Sequence, residues 1–186
     1  MAITNGYATL TELKNVLGRD LTDTVKDTFL EACIERASRI IDDYTRQIFY
    51  DKTITNEKID RYSVSTSFFS LSDDCLYSHA PIISVTSLVE DGVSLVADTD
   101  FYLYENHIQS VNSWTTERKG LVFTGHIGYT SVPKPINEVC LAFAEVLSGI
   151  GIKTVTDGTG SVFELSKDKL PVWAFDVLSK WRSPDV

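Results

Sequence analysis

Cysteine is scarce in this chain: Cys33, Cys75 and Cys140 are the only three. Their number is odd and their spacing fits no zinc pattern, which excludes a structural zinc site. Cys33 and Cys140 fall on apolar helical positions, where cysteine acts as a small hydrophobe, and a reducing cytoplasm fits that usage best. The histidines are also three, His79, His107 and His126. No two are spaced like a helical ligand pair, and Cys75 with His79 falls in a segment that reads as loop. No Gly-x-Ser-x-Gly elbow occurs. The pairs Asp42-Asp43 and Asp73-Asp74 are adjacent, so their carboxylates point apart and do not share a proton. Gly125-x-x-Gly128 is neither a phosphate loop nor a dinucleotide fingerprint; its glycines permit a bend at a strand end. Nothing in the pattern supports catalysis, a cofactor or a metal.

Basic residues are outnumbered, 17 Lys plus Arg against 26 Asp plus Glu, for a net charge of −9. That balance argues against a protein that grips phosphate backbones, and suits a surface that nucleic acid slides past. Lys14, Arg19, Arg36, Lys52, Lys58, Arg61, Arg118 and Lys119 are scattered, and Lys167, Lys169, Lys180 and Arg182 form the densest basic group. No apolar run is long enough to cross a bilayer. The opening residues, Met1 to Gly6, lack the basic and apolar regions of a signal peptide.

With 186 residues, 43% of them hydrophobic, the chain is long enough for one domain with a sizeable core. Thr9-Leu10-Thr11-Glu12 forms a capping box, and a short helix follows to Leu17 with Gly18 as its stop. A second cap is expected in Leu21-Thr22-Asp23-Thr24. From Val25 the apolar residues Phe29, Ala32, Cys33, Ala37, Ile40, Ile41, Tyr44 and Ile48 recur in helical steps and predict a long amphipathic helix. Glu35 with Arg39 and Asp42 with Arg46 stand at i,i+4 spacing on its polar face.

Helical periodicity then stops. The stretch Tyr50 to Tyr129 is rich in Thr, Ser, Val, Phe and Tyr. Ile82 to Val89 reads as a strand, Asp91-Gly92 as a hairpin turn, and Val93 to Val96 as the return. Phe101 to Tyr104 and Gly120 to Thr124 are further strands; Asp60 to Val64 and Phe68 to Leu71 are weaker candidates. Pro135 then starts a helix that Gly149 ends, and its apolar residues run nearly all round it, so it is buried on more than one side. A Gly/Thr-rich loop fills 149–160. A last helix is expected from about Asp168 to Trp181, with Leu170, Trp173, Val177, Leu178 and Trp181 on one face. The predicted class is α+β: mainly a helical bundle with an inserted antiparallel β-sheet subdomain.

Five segments, in order, resemble the head–tail connector (adaptor, or head-completion) proteins of long-tailed double-stranded DNA bacteriophages. Tyr7-Ala8-Thr9-Leu10-Thr11-Glu12-Leu13-Lys14 is similar to that family's opening helix. Ala37-Ser38-Arg39-Ile40-Ile41-Asp42-Asp43-Tyr44-Thr45 with Phe49 is similar to its second-helix signature. Pro81 to Leu88 followed by Asp91-Gly92, then Gly125-His126-Ile127-Gly128-Tyr129 with Val132-Pro133 and Ile136, resemble its sheet and third-helix lead-in. Leu170-Pro171 with Leu178 and Trp181-Arg182 resembles its end. Where the family often has Thr-Gly-Arg after the long helix, this chain has Thr45-Arg46-Gln47.

The resemblance implies one adaptor domain over 1–186: N-terminal helices in 1–50, the β subdomain in 51–132, the third helix in 133–150, and loop plus C-terminal helix in 151–186. Its structural signature is Ile41, Asp42, Tyr44, Phe49, Gly128, Tyr129 and Pro133. It implies a non-enzymatic virion protein, made in the host bacterial cytoplasm and placed at the head–tail interface. There it self-associates into a ring, dodecameric in the particle, beneath the portal protein and above a stopper or tail component. DNA passes through the channel without specific binding, and no membrane is involved. Leu170, Trp173, Val177, Lys180, Trp181 and Arg182 are the portal-binding candidates. Two other readings stand beside this one: a different neck protein, such as a stopper or tail terminator, and a small α+β enzyme or ligand-binding module.

Overall fold

The computed structural model describes residues 3–60, 68–114, 120–149 and 170–182. Helices and antiparallel sheets both occur, so the class is α+β, with eight strands beside four helices among the described residues. The chain divides into two compact units. One comprises Met1–Arg46 with Val132–Arg182, and the other centres on Gln47–Ser131.

The helical unit holds α1 (Leu10–Val16), α2 (Asp27–Thr45), α3 (Lys134–Ser148) and α4 (Val172–Ser179). The predicted capping box starts α1: the Glu12 N–H donates to Thr9 Oγ1 at 3.2 Å, and the Thr9 N–H donates to Glu12 Oε2 at 2.7 Å. Both otherwise orphaned amides are thereby satisfied. α3 is the centre of the unit and packs on α1, α2 and α4. Its Ile136, Val139, Cys140, Phe143 and Ala144 are fully buried, as the near-continuous apolar pattern requires. Gly149 ends α3 in the left-handed conformation.

The long helix differs from its expected bounds at both ends. The cap expected at Thr22–Thr24 is a turn instead: Asp20 Oδ1 accepts from the Thr22 N–H, and Asp23 Oδ1 accepts from the Val25 N–H. α2 begins only at Asp27, and Val25 and Phe29, expected on its apolar face, are exposed. The buried stripe runs through Leu30, Cys33, Ile34, Ala37 and Ile41. The cause lies in α1. Lys14, only 4% exposed, sends its ammonium to the Leu21 carbonyl at 3.3 Å, the Asp23 carbonyl at 2.7 Å and Asp27 Oδ1 at 2.5 Å. That clamp holds the connecting turn out of helical register. At the other end α2 stops at Thr45 with Arg46 left-handed, so Ile48 and Phe49 belong to the sheet unit.

The sheet unit contains two four-stranded antiparallel sheets, both feeding one core. The first has the order β1 (Lys52–Ile59), β8 (Leu121–Ile127), β4 (Ile82–Glu90), β5 (Val93–Ser94). The second has the order β2 (Phe69–Leu71), β3 (Cys75–Ser78), β7 (His107–Ser110), β6 (Phe101–Leu103). β8 alternates strictly, with Leu121, Phe123, Gly125 and Ile127 inward. Asp91 and Gly92 join β4 to β5 with φ of 47° and 87°, the two positive values the hairpin turn needs. Gly125 faces register shifts in both neighbouring strands, and a Cβ there would lie 2.2 Å from the Ser84 carbonyl oxygen. Its glycine therefore serves close backbone approach at a bulge within the strand. The weak strand expected over Asp60 to Val64 falls largely outside the described residues, and Asp60 itself is not in a strand.

Candidate assembly surfaces

The seven signature residues are structural ties, distributed over both units. In the helical unit Ile41 is fully buried, and Pro133 precedes α3 as its N-cap. Asp42 accepts a hydrogen bond from the Tyr7 hydroxyl and pairs with Arg39 at 3.2 Å. Tyr7, 1% exposed, is held along its whole length. Its N–H donates to Ser38 Oγ at 3.0 Å, its carbonyl accepts from Asn137 Nδ2 at 2.9 Å, and the Arg39 guanidinium covers its ring. Tyr44 meets Phe175 of α4 edge-on at 5.2 Å. In the sheet unit Phe49 stacks on Tyr129 at 5.4 Å. Burial pushes the Tyr129 phenol above its usual pKa. Gly128 has φ +104°, and a Cβ there would fall 2.0 Å from the Tyr50 carbonyl oxygen.

The C-terminal helix begins at Val172, not near Asp168, because Pro171 sits extended at its N-cap and cannot donate into a preceding turn. Its inward stripe is Leu170, Ala174 and Leu178, all buried, with Phe175 lying 5.7 Å from Phe143 of α3. Trp173, expected on one face with Leu170 and Leu178, lies off their buried stripe: it is 49% exposed, beside Val172. Val177 and Trp181 are half-buried at the margin, while Lys180 and Arg182 are exposed. Lys167, Lys169 and nearly all of the Gly/Thr-rich loop lie outside the described residues.

The polar residues weighed for chemistry are otherwise engaged. His126 Nδ1 lies 2.7 Å from Asp51 Oδ1 on the first sheet. Asp74 accepts from the Ser113 hydroxyl, and the Asp73 and Asp74 carbonyls accept from the Trp114 and Ser110 amides. Cys75 is in strand β3, correcting its reading as loop. Among the described residues no group of three His, Cys, Asp or Glu is arranged to hold a metal ion. Among them, too, no helix is long and apolar enough to cross a membrane.

Two surfaces escape a reading of the sequence alone. Val16, Leu21, Val25 and Phe29, within and beside the α1–α2 turn that Lys14 holds, are all large, apolar and exposed. On the second sheet, Tyr77 of β3 is paired with His107 of β7. The Tyr104 N–H donates to the His107 carbonyl and continues the β6–β7 register. These three side chains form one cross-strand row on the outward face, because Leu76 and Ile108, one position along, point inward and are fully buried. Tyr104 stacks on His107 at 4.5 Å and 9°, and Tyr77 lies 5.7 Å from the imidazole on its other flank. A hydrogen bond with Cys75 raises the Tyr77 phenol pKa, so the ring stays neutral.

No protein-family model matches the chain, and no curated protein matches it in sequence. Solved structures do match its fold. A chain from the neck of an empty gene transfer agent (GTA) particle, computed with C6 symmetry, aligns at a TM-score of 0.63 and 15% identity. The alignment covers 100% of this chain and 94% of that one. A chain from the virion of a native GTA particle aligns at 0.58 and 16% identity, with the same coverage. The shared property is the fold.

Proposed function

We propose that this chain is a structural neck protein of a tailed-phage-type particle, acting as a head–tail connector (adaptor) without catalytic activity. The observation that carries the reading is the full-length likeness to a chain of a particle neck, helices and sheets together. It works in the virion, after synthesis in the host bacterial cytoplasm. Copies form a ring beneath the portal protein; the sixfold symmetry applied to the neighbour's neck is obeyed by a dodecamer as well as by a hexamer. DNA crosses the ring unbound, in keeping with a net charge of −9. A stopper or tail component occupies the opposite side.

Portal attachment falls to the C-terminal segment. Leu170 and Leu178 are committed to the helical core, which leaves Trp173, Lys180 and Arg182 as the outward anchors, with Val177 and Trp181 at the margin. An indole enclosed by a partner contributes most of such a contact, and the two cations add salt-sensitive steering.

The test is reconstitution. Purified protein is mixed with DNA-filled, tailless heads of its particle and imaged by cryo-electron microscopy. A ring of density against the portal supports the reading; a bare portal, or density elsewhere on the particle, overturns it.

A further inference from the structure

The outward face of the second sheet carries two cross-strand rows: Tyr77, His107 and Tyr104 in one, Cys75, Gln109 and Tyr102 in the next. Tyr77, Tyr102 and Tyr104 are 40%, 46% and 46% exposed. Three exposed tyrosines and a stacked imidazole on one sheet face present π-surfaces to whatever approaches. The segment that carries them is acidic. Residues 68–114 hold seven of the chain's 26 acids and none of its 17 Lys or Arg. Three of those acids flank β7. Glu105 precedes β7 in the turn, while the Asp74 and Asp100 carbonyls accept from Ser110 and Val111 at its far end.

We infer that this sheet face docks a basic, arginine-bearing surface of another protein, with guanidinium groups stacking on Tyr77, Tyr104 and Tyr102 beside the acidic positions Asp74, Asp100 and Glu105. A guanidinium is planar and weakly hydrated, so it stacks on an aromatic face while its edges donate to acids. An ammonium makes only the charge contact. Nucleic acid and anionic lipid would be repelled by a segment that carries seven acids and no Lys or Arg. A basic partner surface is required whether or not the chain works in a neck.

The full chain is titrated with an octa-arginine peptide, an octa-lysine peptide and a short DNA duplex near physiological salt, followed by calorimetry and by the ring-proton resonances of His107. The expected result is octa-arginine binding at least fivefold tighter than octa-lysine, with His107 shifting and no duplex binding. The Tyr77→Ser/Tyr104→Ser protein, with an unchanged melting temperature, should bind octa-arginine about tenfold more weakly. If that double variant melts early, Tyr104→Ser alone replaces it, with a loss of about threefold expected. Equal binding of the two peptides, an unshifted His107, an undiminished affinity in the variants, or duplex binding that the tyrosine changes abolish would each overturn the assignment.

Discussion

Lys14 and Asp27 meet at 2.5 Å across the turn between the first two helices, and the lysine is all but removed from solvent. The ammonium also holds two carbonyls of that turn, so one side chain sets where α2 starts. Replacing it by methionine keeps the stem's packing and strands three acceptors. Lys14→Met is expected to lower stability by about 2–4 kcal/mol in urea denaturation. Asp27→Asn, whose partner keeps its two carbonyls, should lose less than half of that.

The glycines divide by what surrounds them. At Gly128 both a positive φ and the Tyr50 carbonyl oppose a side chain, whereas Gly149 has a positive φ but open space. Gly128→Ala should therefore cost more than about 3 kcal/mol, and Gly149→Ala about 1 kcal/mol. Thermal melts of the two variants side by side measure the gap; equal losses would mean that the approach to Tyr50 is not limiting.

Arg46 takes the left-handed conformation that glycine adopts most readily, at φ 55°. Arg46→Gly is expected to raise stability by about 0.5–1 kcal/mol, since glycine adopts that conformation without a Cβ clash. A melting temperature that falls would show that contacts of the Arg46 side chain outweigh its backbone strain.

Much of this architecture is legible in the chain. The Thr9/Glu12 box, the Asp91-Gly92 turn, Pro135 and Gly149 each act through local chemistry, and each stands where the pattern places it. The failures are those of non-local causes. Val25 and Phe29 fit a helical stripe, yet Lys14, more than ten positions away, holds their segment outside it. β1 passes unnoticed because it is an edge strand of mostly solvent-facing polar residues, and the positive φ of Asn56 at its bulge breaks the alternation. β3 and β7 are four residues each, too short to show a period. The tyrosine row exists only through strand register. No local signal marks Tyr77 as a neighbour of His107, although the lack of any Lys or Arg over 68–114 is visible without a structure.

The thiols should separate by burial. Burial raises the Cys140 pKa from 9.0 to about 11, and it raises that of Cys33 as well. Half-buried Cys75 should react with a disulfide reagent at pH 8 in the native protein, with Cys33 and Cys140 reacting only on unfolding. The linkage has a definite sign. Folding holds the Cys140 proton where the unfolded chain has released it, so its contribution is complete below pH 9 and is lost as pH rises from there to about 11. The loss should reach about 2–3 kcal/mol, measured as a drop in denaturation midpoint that Cys140→Ala removes.

Position on the last helix predicts two different phenotypes. Leu178 is fully enclosed and Trp173 is half outside. Leu178→Ala should destabilise by about 2–4 kcal/mol. Trp173→Ala should melt within about 1 kcal/mol of the parent yet fail to join portal-bearing heads. Normal attachment by the tryptophan variant would remove this helix from the portal contact.

The helical unit is written in two pieces, Met1–Arg46 and Val132–Arg182, with the sheet unit between them. On the ribosome, α2 emerges early and α3, which packs against it, emerges only after every strand. At bacterial elongation speeds that interval is on the order of ten seconds. During it the sheets, contiguous in sequence, can close on themselves while the greasy side of α2 stays bare. Nascent chains arrested before Val132 should accordingly be clipped by protease within α2 and resist it between Gln47 and Ser131, which makes translation itself the clock that orders this fold.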